Sequence, residues 1–206
     1  MDDNGKPAPR VAASRGGIGR ALLLAVLGLA AGAAAAADER AVRKEVLVPA
    51  PVEKVWQAWT TSAGIESFFA PEAVVEPRPD GRFSIHIDPY APPGMRGADD
   101  MRVLAVQENR LLSFTWNAPP HLPQARAQRT VVIVRLAPEG AHTRVTLTHV
   151  GWGDGGQWDD AHKYFDRAWG NVLENLRKRF AEGPVDWTAW RAQLKAMHEQ
   201  AAAPKN

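Results

Sequence analysis

The chain has 206 residues, 45% hydrophobic and 23% charged, which suits one domain with a real core and excludes a disordered chain. Its formal charge of +2 belongs to the first 37 residues, where Lys6, Arg10, Arg15 and Arg20 face only Asp2 and Asp3; beyond them 21 basic and 21 acidic residues balance, leaving no basic excess to bind nucleic acid. The absence of cysteine excludes disulfides, thiolate metal sites and a cysteine nucleophile.

The leader reads as a secretory signal. Arg15 and Arg20 precede an apolar run from Ala21, and Ala35-Ala36-Ala37 before Asp38 is a small-residue cleavage site. Cleavage after Ala37 would make the mature chain periplasmic or secreted. Left uncleaved, the leader would be the chain's sole membrane contact. Its 17 apolar residues from Ala21 to Ala37 fall short of the roughly 20 that a spanning helix needs. Lacking a lipobox cysteine and an Arg-Arg pair, it resembles neither a lipoprotein nor a twin-arginine signal. The expected organisation is a signal peptide over 1–37, a domain over 38–182 and a helical extension over 183–206.

Arg43–Val48 reads as a first strand, ended by Pro49 and Pro51. Val52, Val55, Trp56 and Trp59 recur at helical spacing, and Ile65, Phe68 and Phe69 mark a second short helix before Pro71. A meander follows: Ala73–Glu76, a turn at Pro79-Asp80-Gly81, Phe83–Asp88, a Pro/Gly-rich loop over 89–97, then Met101–Val106 and Leu111–Trp116. A second loop holds Pro119, Pro120 and Pro123, and Thr130–Leu136 and Arg144–Val150 are the last strands. Alternation groups Phe83, Ile85 and Ile87 on a buried face, with His86 and Asp88 on the wet face; Val145, Leu147 and His149 share the buried one. Gln157–Ala181 predicts a long helix with Trp158, Ala161, Phe165, Trp169, Val172, Leu176 and Phe180 on one stripe, stopped by Gly183-Pro184. Trp187–Glu199 predicts a last helix with Trp190, Leu194 and Met197 on one side.

Gly151-Trp152-Gly153-Asp154-Gly155-Gly156 has the glycine spacing of a dinucleotide fingerprint between a strand and a helix. No second parallel strand follows, and Trp152 would crowd a pyrophosphate, so the stretch reads as a connector. His86 and Asp88 find no third ligand at metal spacing, and Gly-x-Ser-x-Gly, HExxH and P-loop motifs are missing; no metal or cofactor is expected. His149, at a strand end beside the glycine loop, is the candidate polar contact or general base, with His162 a weaker second. Trp116, Trp152 and Trp158 lie near strand ends and loops, where aromatic groups line cavity mouths, whereas Trp56, Trp59 and Trp169 read as core.

This order of elements resembles the START-like, or SRPBCC, helix-grip superfamily. Three segments, Pro51–Thr61 (PVEKVWQAWTT), Leu112–Trp116 (LSFTW) and Thr143–His149 (TRVTLTH), resemble its branch of heat-shock-protein ATPase activator homologues, and Trp169–Leu176 fits that branch's final helix. The resemblance spans about Val42 to Phe180. It implies an α+β fold: a curved antiparallel sheet of about six to seven strands around a long C-terminal helix, with two short helices after strand one. It also implies a cavity, since members bind apolar ligands such as lipids, sterols and polyketides, and a few catalyse cyclisation. The role in the branch's name depends on cytosolic partners, whereas the leader implies another compartment.

Together these readings predict a binder of a small hydrophobic ligand rather than an enzyme. The ligand would lie between sheet and helix against Trp116, His149, Trp152, Trp158, Phe165, Trp169 and Val172, with Tyr164 as a further polar contact. One alternative is a cyclase or aromatase using His149 as acid or base. The other is a periplasmic, co-chaperone-like interaction module whose working surface includes the Trp187–Met197 helix.

Overall fold

Side-chain alternation along the last two strands sets the geometry. The computed structural model describes residues 40–203, so the leader, its expected cleavage site and residues 204–206 lie outside the described residues. The elements run β1 (Val42–Val48), α1 (Val52–Thr60), α2 (Ser62–Glu66), β2 (Glu72–Val75), β3 (Phe83–His86), β4 (Gly97–Ala98) and β5 (Val103–Gln107). They continue with β6 (Leu111–Trp116), α3 (Pro123–Arg126), β7 (Thr130–Glu139), β8 (His142–Val150), α4 (Gln157–Ala181) and α5 (Thr188–Ala202). Thr130, Val132, Val134 and Leu136 of β7 turn inward beside Thr143, Val145, Leu147 and His149 of β8. Their period of two makes one buried face.

All pairings between strands are antiparallel, and the fold is the α+β helix grip. The meander divides into a five-stranded sheet, ordered β1-β8-β7-β6-β5, and a three-stranded sheet, β2-β3-β4. The register shifts between Val103 and Ala105, and such a bulge bends a strand and sharpens its twist. The Arg82–Arg102 bridge and the Phe83 N–H to Met101 C=O bond (2.8 Å) carry the surface from one sheet to the other. Phe83 and Phe114 stack across that join with centroids 3.9 Å apart.

α4 lies on the buried face with Ala161, Phe165, Trp169, Val172, Leu173 and Leu176 turned inward. Asp159 and Asp160 in its first turn and Lys178 and Arg179 in its last complement the helix dipole. On edge strand β1, Lys44 reaches back to Asp166 of α4 at 2.8 Å. The interior is filled by aromatic rings in series: Trp59 on Phe68, Phe69 on Trp116, and Trp116 on Trp169, at 5.1–5.8 Å between centroids.

Three expectations are corrected. β4 and α3 lie in stretches that read as loops. β4 is only a two-residue pairing with β3, and the side-chain Oε1 of Gln157, far along the chain, accepts the Gln124 N–H of α3 at 2.8 Å. Neither contact leaves a local sequence pattern. His86 is buried rather than solvated, because β2 and β4 flank it and Glu72 meets its Nδ1 at 2.7 Å. Ile87, expected inside, lies just past the end of β3 and is 36% exposed.

Backbone contact between α1 and α2 generates a prediction. A Cβ on Gly64 would stand 2.4 Å from the Gln57 carbonyl oxygen and 2.7 Å from the Ala58 Cα, and neither can move aside cheaply. Gly64→Ala should therefore cost about 1–3 kcal/mol in urea unfolding, the usual range for overpacking. An unchanged midpoint would contradict this packing.

Candidate functional site

His149 is the polar centre of the buried face. Pairing across the sheet puts it in one rank with Val42, Val132 and Phe114. α4 lays Trp169 over that rank, and its indole N–H donates to His149 Nδ1 at 2.9 Å. An indole nitrogen only donates, so Nδ1 is the unprotonated nitrogen of the ring. Nε2–H therefore donates to Thr130 Oγ1, 2.7 Å away. Trp152, Phe165 and Trp169 surround the imidazole with centroids at 4.2–5.9 Å, and the residue is fully buried. Burial, and then the nearby His162, push its pKa down to about 3. The imidazole is thus neutral, fully buried, and engaged at both nitrogens. A general base needs a nitrogen within reach of a substrate proton, and this geometry offers none.

Trp152 and Trp158 also serve packing. The Trp152 indole donates to the His149 carbonyl at 2.8 Å. A Cβ on Gly153 would stand 2.4 Å from Trp158 Nε1, so this glycine lets the indole lie against the loop. Both tryptophans close a small second core of Ala118, Leu122, Ala125 and Ala161 beneath α3. Arg40 fastens the loop by donating to the Gly153 carbonyl at 2.8 Å and pairing with Asp159 at 2.6 Å. The glycine spacing fits close packing of indoles, and among the described residues no strand follows α4 to complete a dinucleotide site.

An apolar cavity of about 480 Å³ lies along the flank of α4. Trp116, Phe165, Trp169 and Val172 of the expected set line it, whereas His149, Trp152 and Trp158 do not. Phe69 and Trp116 stack at 5.8 Å and Phe165 and Trp169 at 6.0 Å, making an aromatic floor. Tyr164, Ala168, Asn171 and Asn175 supply the α4 edge, Pro71 and Ile87 the opposite edge, and Trp187 and Trp190 an outer wall. Burial raises the Tyr164 pKa, which keeps its hydroxyl neutral. No charged side chain lines the space. Among the described residues, no three His, Cys, Asp or Glu side chains gather to hold a metal.

Asn171 and Asn175 were legible in principle. They sit one turn apart on the flank of the helix stripe, each next in the chain to a stripe residue, Val172 and Leu176. The wall was not legible. Trp187 and Trp190 read as a helix face, but where that face docks depends on the chain path after Gly183, whose φ is +115°.

The family model described as Activator of Hsp90 ATPase homolog 1-like protein matches residues 49–181. Protein MLL2253 from Mesorhizobium loti is 27% identical, covering 71% of this chain and 100% of its own, with a TM-score of 0.57. Bacillus halodurans protein BH1534 is also 27% identical, covering 68% and 96%, with a TM-score of 0.52. The Aha1 dimer from Colwellia psychrerythraea, 17% identical over 69% of this chain and 97% of its own, shares the fold at a TM-score of 0.54. No curated protein matches the chain. The fold and its aromatic grip are those of an SRPBCC-type helix-grip domain. Within that class, the chain belongs to the Activator of Hsp90 ATPase homolog 1-like family.

The buried imidazole generates a pH prediction. Between about pH 6.5 and 3 the unfolded chain binds a proton at position 149 that the folded chain refuses. Stability therefore falls as pH falls, by about 1.4 kcal/mol per unit in that window. From pH 7 to pH 5, the wild type should lose about 2 kcal/mol more than His149→Gln, which keeps an acceptor for Trp169 and cannot titrate. Equal losses in urea titrations would contradict the assignment.

Proposed function

We propose that the mature domain is an exported, non-enzymatic binder of a small hydrophobic ligand. The observation carrying this reading is the uncharged aromatic cavity of about 480 Å³ beside α4. Its size falls in the range of roughly 300–1,000 Å³ typical of small-molecule sites. Apolar burial at about 25 cal/mol per Å² would supply most of the affinity, before the cost of immobilising the ligand. SRPBCC domains are known as binders of hydrophobic ligands and as polyketide cyclases, and the lining here favours the first role. A cyclase using His149 would need a nitrogen that Trp169 and Thr130 do not already hold.

Export rests on Arg15, Arg20 and the apolar run ending at Ala37. It separates the chain from cytosolic partners and turns attention to the pocket rather than to chaperone contacts.

Protein recovered from the periplasm should have a mass that starts at Asp38 and, by native mass spectrometry, carry or take up one apolar molecule. Ala168→Trp, which fills the cavity from the α4 side, should reduce uptake about tenfold or more while the fold persists. A full-length cytosolic product would refute export. Wild-type protein that takes up no apolar compound would refute binding.

A further inference from the structure

The segment after Gly183 lies beyond the residues that the family model matches, yet it completes the cavity. It contributes little to the core, since Leu194 is the buried residue of α5. What holds it is directional. Val185 N–H donates to the Ser67 carbonyl (2.9 Å), the Trp187 indole to the Glu66 carbonyl (2.6 Å), and the Trp190 indole to the Ile87 carbonyl (3.1 Å). The Arg191 guanidinium bonds the Pro71 carbonyl, and His198 meets Asp88 at 2.8 Å. With the contacts of Val185, Arg191 and His198 alone, the segment would still be tied at three points. It nevertheless places two large rings at the cavity.

Their N–H groups are used in docking, but their ring faces meet no other aromatic ring. The floor rings Phe69, Trp116, Phe165 and Trp169 touch one another at 5.3–6.0 Å. Among the described residues, neither Trp187 nor Trp190 stacks on any aromatic ring, and Trp190 is 39% exposed. Both indoles therefore line the cavity together with the floor rings while having no aromatic partner of their own. A flat ring compound would pair both sets of faces at once.

The remaining lining narrows the class. A carboxylate, phosphate or ammonium group would find no counter-charge inside, and burying it unpaired is costly. Asn171, Asn175 and the Tyr164 hydroxyl edge the cavity, and no side-chain hydrogen bond from these groups to the protein is present among the described residues. They suit carbonyl or hydroxyl substituents at the rim of a ligand.

We propose that the C-terminal segment is a working part of the site: Trp187 and Trp190 select a neutral, flat ring compound with polar substituents at its edge. The inference rests on the ligand-binding reading above and adds to it which residues choose the ligand, and of what kind.

The test uses the mature chain and three probes: neutral N-phenyl-naphthylamine, its sulfonated analogue anilinonaphthalene sulfonate, and palmitate as competitor. The neutral probe should bind about tenfold more tightly than the sulfonate, and palmitate should displace it poorly. Trp187→Ala with Trp190→Ala should weaken neutral-probe binding about tenfold or more while the domain stays folded. The double phenylalanine variant keeps flat rings but loses both indole N–H bonds, and should retain most of the affinity.

Wild-type affinity in the double alanine variant, with Ala168→Trp still blocking uptake, would overturn the role of the extension and leave the cavity reading intact. Equal losses in the phenylalanine and alanine variants would replace stacking by mere docking and overturn the selection claim. Sulfonate or palmitate binding as tightly as the neutral probe would overturn the ligand class. No binding of any probe to the wild type would overturn this inference together with the reading it rests on.

Discussion

The hydrogen bond from the Trp169 indole to His149 decides how the long helix lies on the sheet. It joins a side chain of α4 to one of β8 in a fully buried setting, and the imidazole passes the constraint to β7 through Thr130. Such a bond contributes only about 1 kcal/mol net, but losing one partner strands a buried polar group at a cost of about 1–3 kcal/mol. The bond therefore acts more by excluding other seatings of α4 than by the energy it supplies. With Trp169 so placed, Phe69 and Trp116 pack on its ring, and Phe83 and Phe114 continue the series toward the second sheet.

That series explains where the cavity is. Rings in contact fill the space under the middle of α4, so the open volume lies along the helix flank, where Ala168, Asn171 and Asn175 stand beside the larger Phe165 and Trp169. A pinned aromatic floor is also preorganised: the proposed ligand would not have to order the rings beneath it. The extension then meets the floor from outside, held by backbone carbonyls of the α2–β2 region and of Ile87, and brings two indoles to an otherwise one-sided surface. The family shares the grip; the outer wall comes from residues beyond it, as expected where a common fold carries individual sites.

Much of this architecture could be read from residue periods. The two-residue alternation of β7 and β8 and the stripe of α4 are strong signals, since each is long enough to repeat several times. His149 was correctly read as facing inward. Its role was not readable, because the indole that occupies Nδ1 lies 20 residues away and Thr130 lies 19 residues away on another strand. Trp152 and Trp158 stand near loops in sequence, which predicts a cavity mouth, but both indoles pack against a second core beside α3. His86 went astray for a related reason: alternation describes one strand, and β3 has partners on both sides and cover on both faces. Pattern within an element was informative for β7, β8 and α4, whereas partnership between elements needed the fold.

Nitrogen-15 NMR of the His149 imidazole tests most directly whether this residue pins the helix or is available for chemistry. In the folded protein, Nδ1 should show the shift of an unprotonated, hydrogen-bonded nitrogen and Nε2 that of a protonated one. Both should hold steady as pH is lowered from neutrality toward the unfolding transition, with the Trp169 indole proton protected from exchange. A ring that titrates near the ordinary histidine value while the protein stays folded, or one protonated at Nδ1, would contradict the pinned-helix account.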